Sequence, residues 1–424
     1  MKKIIALLIM LFTAVLLAQS PGWTTLKETN ITVGTNAYDI FTNGAGNHII
    51  VQETNALKYY KMDVNGTTII NLNPPLESTA VTSPSISGDL TRLYVVYRKN
   101  NEQSIKTKYS LNGGVSWSTL NQAPPNSNAT SIECVFSKNI LHVTYLVGTV
   151  VYYAYCDVSN PTPIWITYTL SNENYIASNP RICINNAGSV DTVYFTFNHS
   201  NANQLRWRRF IVGGSLSSIQ PVQTGFGLLP ENLGFAVDNE FIYSFWKNSL
   251  TQIMEWTFRR IWNNQQQTDV GISNSNTYVQ KIFSTSTAIN NPYLAAWSTI
   301  TGYENSIVRM GFDDSASLIY DVIHAQPGLT PVNIVNLSAA GNDVHVVWKD
   351  NLGTNNGNNI RYKYYDDVPI PPQNLTIIKS VNNYPLLSWI NPNPDGIIYK
   401  IYRRNACIGD WGPNPIGQTA NLYF

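Results

Sequence analysis

The chain has 424 residues, enough for two or three ordinary domains or one large all-β domain with an appendage. Charged residues make up 12% and leave a net charge near +1, which excludes nucleic-acid or anionic-membrane binding driven by overall basicity. Aromatics also reach 12%, with 25 Tyr and 11 Trp, a composition suited to strands joined by polar turns.

The N-terminus reads as a targeting segment. Lys2 and Lys3 precede an apolar run from Ile4 to Ala18, then Gln19, Ser20 and Pro21. A basic start, a short apolar core and a small residue fit a Sec-type signal peptide over 1–18. Cleavage is placed after Ala18, because cleavage after Ser20 would leave Pro21 first. The alternative is a membrane anchor, but the run is shorter than the roughly 20 residues a span needs. The expectation is a secreted or cell-surface protein with no membrane insertion after cleavage. Cys134, Cys156, Cys183 and Cys407 match no zinc ribbon or redox pair. Cys134 and Cys156 are read on neighbouring strands, so a disulfide and a pair of buried free thiols are both open.

A repeat organises residues 19–366. Apolar strands end in an aromatic followed by polar residues, at Tyr97, Tyr145, Phe197, Trp246, Trp297 and Trp348. Their spacings are 48, 52, 49, 51 and 51 residues, and HIIVQET at 48–54 is a first member without the aromatic. Before each such strand comes a short segment such as SPSIS (83–87) or NPRICI (179–184). After it come a second alternating strand and, in most units, a fourth. Four short strands at a period near 50 predict an all-β fold, a seven-bladed β-propeller with six blades as the alternative. The last unit lacks its fourth strand, and GWTTL at 22–26 reads like SWSTL at 116–120. The N-terminal strand is therefore expected to complete the last blade and close the ring.

Between the third and fourth strands of the second unit lies SLNGGVSW, 110–117. Ser110 and Asn112 can bond turn backbone groups, Gly113 and Gly114 allow positive φ, and Trp117 folds under the hairpin. This octapeptide resembles the Asp-box of sialidase-like propellers, Ser/Thr-x-Asp/Asn-x-Gly-x-Ser/Thr-Trp, with Ser110, Asn112, Gly114, Ser116 and Trp117 at the specified positions. The resemblance implies a structural role for the hairpin and a site on the opposite face. There, loops joining second to third and fourth to first strands would hold the ligand.

Catalytic equipment of that family is not legible. The expected Phe/Tyr-Arg-Ile-Pro string is absent, and its nearest counterpart, Asn179-Pro180-Arg181-Ile182-Cys183, lies in the wrong unit. Arg98 and Arg181 are candidate ligand residues, and Tyr303-Glu304 is the one pair resembling a nucleophile and its activating carboxylate. The aromatic series has two readings, sugar platforms or packing between units. Trp246, Lys247, Trp348, Lys349 and Asp350 join the candidate ligand set. His142 and His345 fall inside strands and read as core residues. No metal or cofactor is expected, apart from a weak structural calcium reading at Asp313-Asp314 or Asp366-Asp367.

After a Pro-rich linker, 367–372, residues 373–424 resemble the first part of a fibronectin type III domain, an incomplete immunoglobulin-like β-sandwich with Trp389 as its core residue. Such a module needs about 100 residues, so the chain reads as a piece of a longer protein. The sequence thus points to a monomeric propeller that recognises an extracellular glycan or protein without catalysis. Alternatives are an exo-acting glycoside hydrolase of sialidase type and a spacer in a multidomain adhesin. No nucleic-acid partner is expected.

Overall fold

A computed structural model gives the fold. It describes residues 22–23, 26–32, 38–63, 66–125 and 128–222 apart from 161, 172, 173, 175, 186 and 187, and beyond 222 chiefly the strands named below. The signal peptide, Tyr303, Glu304, Asp313, Asp314, residues 367–372 and Cys407 lie outside the described residues.

The chain folds as two compact units, one of Trp23–Tyr364 and one holding Tyr365–Phe424. Strands β1 (Gly22–Trp23) and β2 (Lys27–Thr32) come first, and four-stranded antiparallel sheets follow in chain order. The first sheet is β3 (Tyr38–Asn43), β4 (Gly46–Glu53), β5 (Ala56–Met62) and β6 (Thr68–Asn71). The second is β7 (Val81–Gly88), β8 (Leu93–Lys99), β9 (Ser104–Ser110) and β10 (Ser118–Thr119). The third is β11 (Thr130–Ser137), β12 (Ile140–Val147), β13 (Val150–Asp157) and β14 (Ile166–Thr169). The fourth is β15 (Ala177–Asn185), β16 (Thr192–His199), β17 (Gln204–Ile211) and β18 (Gln220–Pro221). Then come β19 (Pro230–Val237), β20 (Phe241–Asn248), β21 (Met254–Arg260) and β22 (Gln266–Gly271). The next sheet is β23 (Ser284–Ser286), β24 (Pro292–Ser298), β25 (Ser306–Phe312) and β26 (Leu318–Ala325). The last holds β27 (Pro331–Ala340), β28 (Asp343–Asp350) and β29 (Asn359–Asp366). Both β1 and β2 pair with β29, Lys27 facing Tyr362 and Glu28 facing Arg361. Strands from both ends of the repeat therefore share one sheet, as the likeness of GWTTL to SWSTL predicts.

Among the described residues, the aromatic that ends the second strand packs against the preceding sheet in the second to fifth sheets. Tyr97 clusters with Ile50, Leu57 and Tyr59, and Tyr145 with Tyr94, Val96 and Ile105. Phe197 meets Val151 and Tyr153, while Trp246 meets Tyr194, Leu205 and Trp207. The first and last sheets meet through Ile40, Ile49, Val347 and Tyr362. The core is thus a set of apolar layers between successive sheets, each rewarding the burial of one large ring.

Polar ties join the same sheets at their innermost strands. Asp39 Oδ2 accepts the N–H of Ile86 at 3.0 Å, Ser85 Oγ that of Cys134 at 3.1 Å, and Glu133 Oε2 that of Ile182 at 2.9 Å. Each rung runs from one side chain to the backbone 47 to 49 residues on, at the equivalent place in the next sheet. A second series uses Ser87 Oγ for Phe136 N at 3.0 Å and Ser338 Oγ for Thr42 N at 2.9 Å. The last rung joins β27 to β3, so the cycle of inner strands closes on itself.

The SLNGGVSW hairpin makes the bonds its residues promise. Ser110 Oγ accepts Gly114 N at 2.9 Å, Asn112 Oδ1 accepts Ser116 N at 2.9 Å, and Trp117 Nε1 donates to Gly114 O at 3.0 Å. Gly113 and Gly114 have φ of +65° and +91°. Gly114 lies on the ring of Tyr59 in the preceding sheet, where a Cβ would come within 1.8 Å of the phenol oxygen. Trp117 closes on the same ring edge-on, with centroids 4.9 Å apart. Tyr59 in turn donates to His48 Nδ1 at 2.8 Å, and His48 Nε2–H points to Asn43 Oδ1 at 3.2 Å.

The arrangement recurs where the cycle closes. Gly66 (φ +79°), in the matching hairpin of the first sheet, lies on Tyr362, whose hydroxyl bonds His345 Nδ1 at 2.7 Å. A third pair, Tyr153 and His142, also bonds at 2.7 Å, with Asp191 Oδ2 3.6 Å from His142 Nε2. All three histidines are buried, as expected for His142 and His345.

Cys134 and Cys156 do not lie on neighbouring strands. They sit on β11 and β13, which flank β12 on opposite sides, Cys134 facing Val143 and Cys156 facing Leu141. Two interstrand steps separate them by about 9–10 Å, beyond the reach of a disulfide. Both are free and buried, and burial pushes the Cys156 thiol up to about 12 and that of Cys134 higher. Neither is expected to react with a maleimide in the native state, and both should label after unfolding; native labelling of either would contradict this burial.

In the smaller unit β30 (Gln373–Lys379) pairs with β31 (Pro385–Ile390), and β32 (Tyr399–Ile401) with β33 (Gly417–Thr419), all antiparallel.

Candidate binding site

Antiparallel strands alternate direction, so the hairpin between third and fourth strands emerges at one face of the sheets. The starts of the first strands and ends of the second strands emerge at the other. A cavity of about 310 Å³ opens among the starts of β3, β7, β11 and β15.

Three successive inner strands build it with the same tripeptide position. These are Ser83-Pro84-Ser85, Ser131-Ile132-Glu133 and Asn179-Pro180-Arg181, each 48 residues after the last. Each begins with a non-glycine residue in the left-handed region, at φ +49°, +49° and +48°. Each also coincides with a register shift against the second strand, between Thr82 and Ser85, Thr130 and Glu133, and Ser178 and Arg181. These are β-bulges, and Pro84 and Pro180 fit there because a bulge relieves the strand of one ladder N–H. Left-handed backbone at a non-glycine residue costs of order 1–2 kcal/mol. Three such costs meet at one cavity, three of the eight non-glycine residues with positive φ among the described residues.

The third tripeptide residues, with Asp39 before them, form one positional series: Asp39, Ser85, Glu133, Arg181. The first three accept the ladder N–H of the next sheet. Arg181 cannot accept, and instead its Nη1 lies 3.7 Å from Glu133 Oε1. Gln52, Thr82 and Tyr38 complete the lining. The side chains of Gln52 and Ser131 line the cavity and have no hydrogen bond to another described residue.

Of the candidate ligand residues read from sequence, Arg181 lies in the cavity. Arg98 stands just behind it, its Nη2 donating to Thr82 Oγ1 at 3.3 Å and its Nε to Asn100 Oδ1 at 3.4 Å. Trp246 and Trp348 are 3% and 0% exposed, a burial that serves packing between sheets. Lys349, at the end of β28, is also buried, and burial lowers its pKa. The side chains of Lys247 and Asp350 are not among the described ones. Arg98, Arg181, Trp246 and Trp348 thus do not converge on one pocket.

No family model matches the chain, and no curated protein matches it. Solved structures do. YCF48 bound to D1 peptide superposes with a TM-score of 0.53 at 13% identity, covering 82% of this chain and 97% of that one. A fungal alcohol oxidase of the AA5 family, with copper, gives 0.52 at 9% identity, covering 91% and 87%. The β-propeller domain of the Trilobed protease from Pyrococcus furiosus gives 0.49 at 11%, covering 78% and 95%. The fold is of β-propeller type. At these identities the likeness concerns fold alone, and the propeller's neighbours include binding proteins and enzymes alike.

Asp39, Gln52, Ser83, Ser131 and Glu133 were missed from sequence. Their signal is positional: aligning the repeat on its aromatics brings SPS, SIE and NPR to one column, although the residue types differ.

Proposed function

We propose that the chain is a secreted or cell-surface, seven-bladed propeller of the sialidase-like Asp-box type that recognises an extracellular glycan or protein without turning it over. Its first 18 residues would direct export, and residues 373–424 would begin a fibronectin type III module that spaces the propeller from its neighbours. The binding site is the cavity of the three bulges, on the face away from SLNGGVSW.

The observation that carries this reading is the state of the cavity's carboxylates. Asp39 accepts two backbone N–H groups and the Ser85 hydroxyl, and Glu133 accepts one N–H and faces Arg181. Carboxylates whose oxygens are already committed to backbone N–H groups and a neighbouring side chain serve the scaffold and are poorly placed to act on a substrate. A sialidase also needs several guanidinium groups converging on the substrate carboxylate, and the cavity lining holds one. YCF48 was solved with a peptide, which keeps a protein partner beside a glycan in the proposal.

A glycan array and a fluorogenic sialoside assay on the full chain test it together. Binding without turnover is expected, and measurable hydrolysis of the sialoside would overturn the proposal.

A further inference from the structure

We infer that the cavity takes an uncharged, hydroxyl-bearing sugar residue and rejects acidic sugars. This rests on the recognition role proposed above and names its ligand class. The charge count argues against an acidic ligand. Two carboxylates, Asp39 and Glu133, stand against one guanidinium, and Arg181 is already within 3.7 Å of Glu133. A ligand carboxylate entering here would lose its hydration while facing two like charges, and the one cation is shared with Glu133.

Donor and acceptor chemistry argues for hydroxyls. The Gln52 amide and Ser131 hydroxyl line the space, and each can both donate and accept. A ligand hydroxyl does the same, so one group satisfies either partner in either orientation. Pro84, Ile132 and Pro180 occupy one position in the three tripeptides and are buried, supplying apolar walls for the C–H face of a ring. A cavity of about 310 Å³ has room for one or two sugar rings.

The test uses the full chain and an array carrying matched neutral, sialylated and uronic-acid glycans, followed by titration of the best neutral glycan. Two variants give the site its signature. Gln52→Leu keeps the shape and removes an uncommitted amide, and should weaken neutral-glycan binding about tenfold. Glu133→Gln keeps an acceptor for the Ile182 N–H while freeing Arg181, and should shift relative preference toward acidic glycans. Neutral hits weakened by Gln52→Leu support the inference. Hits confined to sialylated or uronic glycans overturn it and leave recognition standing. An array without hits overturns it too, and so does neutral binding that Gln52→Leu leaves unchanged. Sialoside turnover alone would instead bring down the recognition role itself.

Discussion

Gly114→Ala is expected to lower the unfolding midpoint far more than Gly148→Ala, although both glycines sit at positive φ, +91° and +60°. The backbone cost is common to both, about 1–2 kcal/mol for an alanine in the left-handed region. The surroundings differ. A Cβ on Gly114 would lie 1.8 Å from the Tyr59 hydroxyl and 2.4 Å from its Cζ, whereas a Cβ on Gly148 would meet nothing within 4 Å. The Tyr59 ring has nowhere to retreat, because its hydroxyl is tied to His48 and Trp117 closes on its edge. Overpacking at such a contact costs typically 1–3 kcal/mol beyond the backbone term, so Gly114→Ala should lose about 3 kcal/mol in total. Gly66→Ala should behave like Gly114→Ala, since its Cβ would come within 2.4 Å of Tyr362. Urea denaturation of the full chain measures the three variants side by side. Equal midpoints for Gly114→Ala and Gly148→Ala would mean that the hairpin does not dock on Tyr59.

The second large effect is on acid stability. Burial holds His48 down to about 3, with Lys61 adding to the effect, and burial alone holds His345 at about 4. Burial also lowers His142, although Asp191 opposes it. Each Nδ1 pairs with a buried tyrosine hydroxyl, so protonation would fix that nitrogen as a donor and force the hydroxyl to accept, besides burying a charge. The folded pKa values lie below the unfolded value near 6.5, and the unfolded chain therefore binds more protons in this window. Stability is fully present above pH 6.5 and falls as the pH drops from there toward 4. The slope approaches about 1.4 kcal/mol per pH unit for each histidine. Between pH 7 and pH 5, His48 and His345 should together remove about 4 kcal/mol. In the double variant His48→Asn with His345→Asn, each amide oxygen can still accept the tyrosine hydroxyl but does not titrate. Its unfolding midpoint should depend on pH much less steeply between 7 and 5. An unchanged slope would place the acid lability elsewhere.

Much of the architecture was legible. Aromatics such as Tyr97, Tyr145, Phe197 and Trp246 at the ends of second strands mark positions that bury a large ring against the preceding sheet, so size and polarity give them away. The SLNGGVSW hairpin was legible for a similar reason, since its bonds are local and its spacing is rigid. The inner ladder was hidden because a backbone N–H asks only for an oxygen, and Asp39, Ser85 and Glu133 each supply one from a different residue type. Arg181 was picked out by its charge, while its partner Glu133, 48 residues earlier, carried no motif. The histidine–tyrosine pairs were invisible in part because their separations differ, 11 residues for His48 and His142 but 17 for His345. Strand assignment placed both cysteines correctly on strands. It failed on their adjacency, because hairpin order sets which strands touch and β12 intervenes.

The ladder bears on how such a chain can change over generations. A tie that accepts any oxygen of suitable reach tolerates Asp, Ser or Glu in turn, so drift at those positions leaves the ring's closure intact. Among the described residues, the glycines under the tyrosine rings and the large buried aromatics are chemically more exacting than the rungs. A lineage built this way can keep its shape long after its letters have diverged.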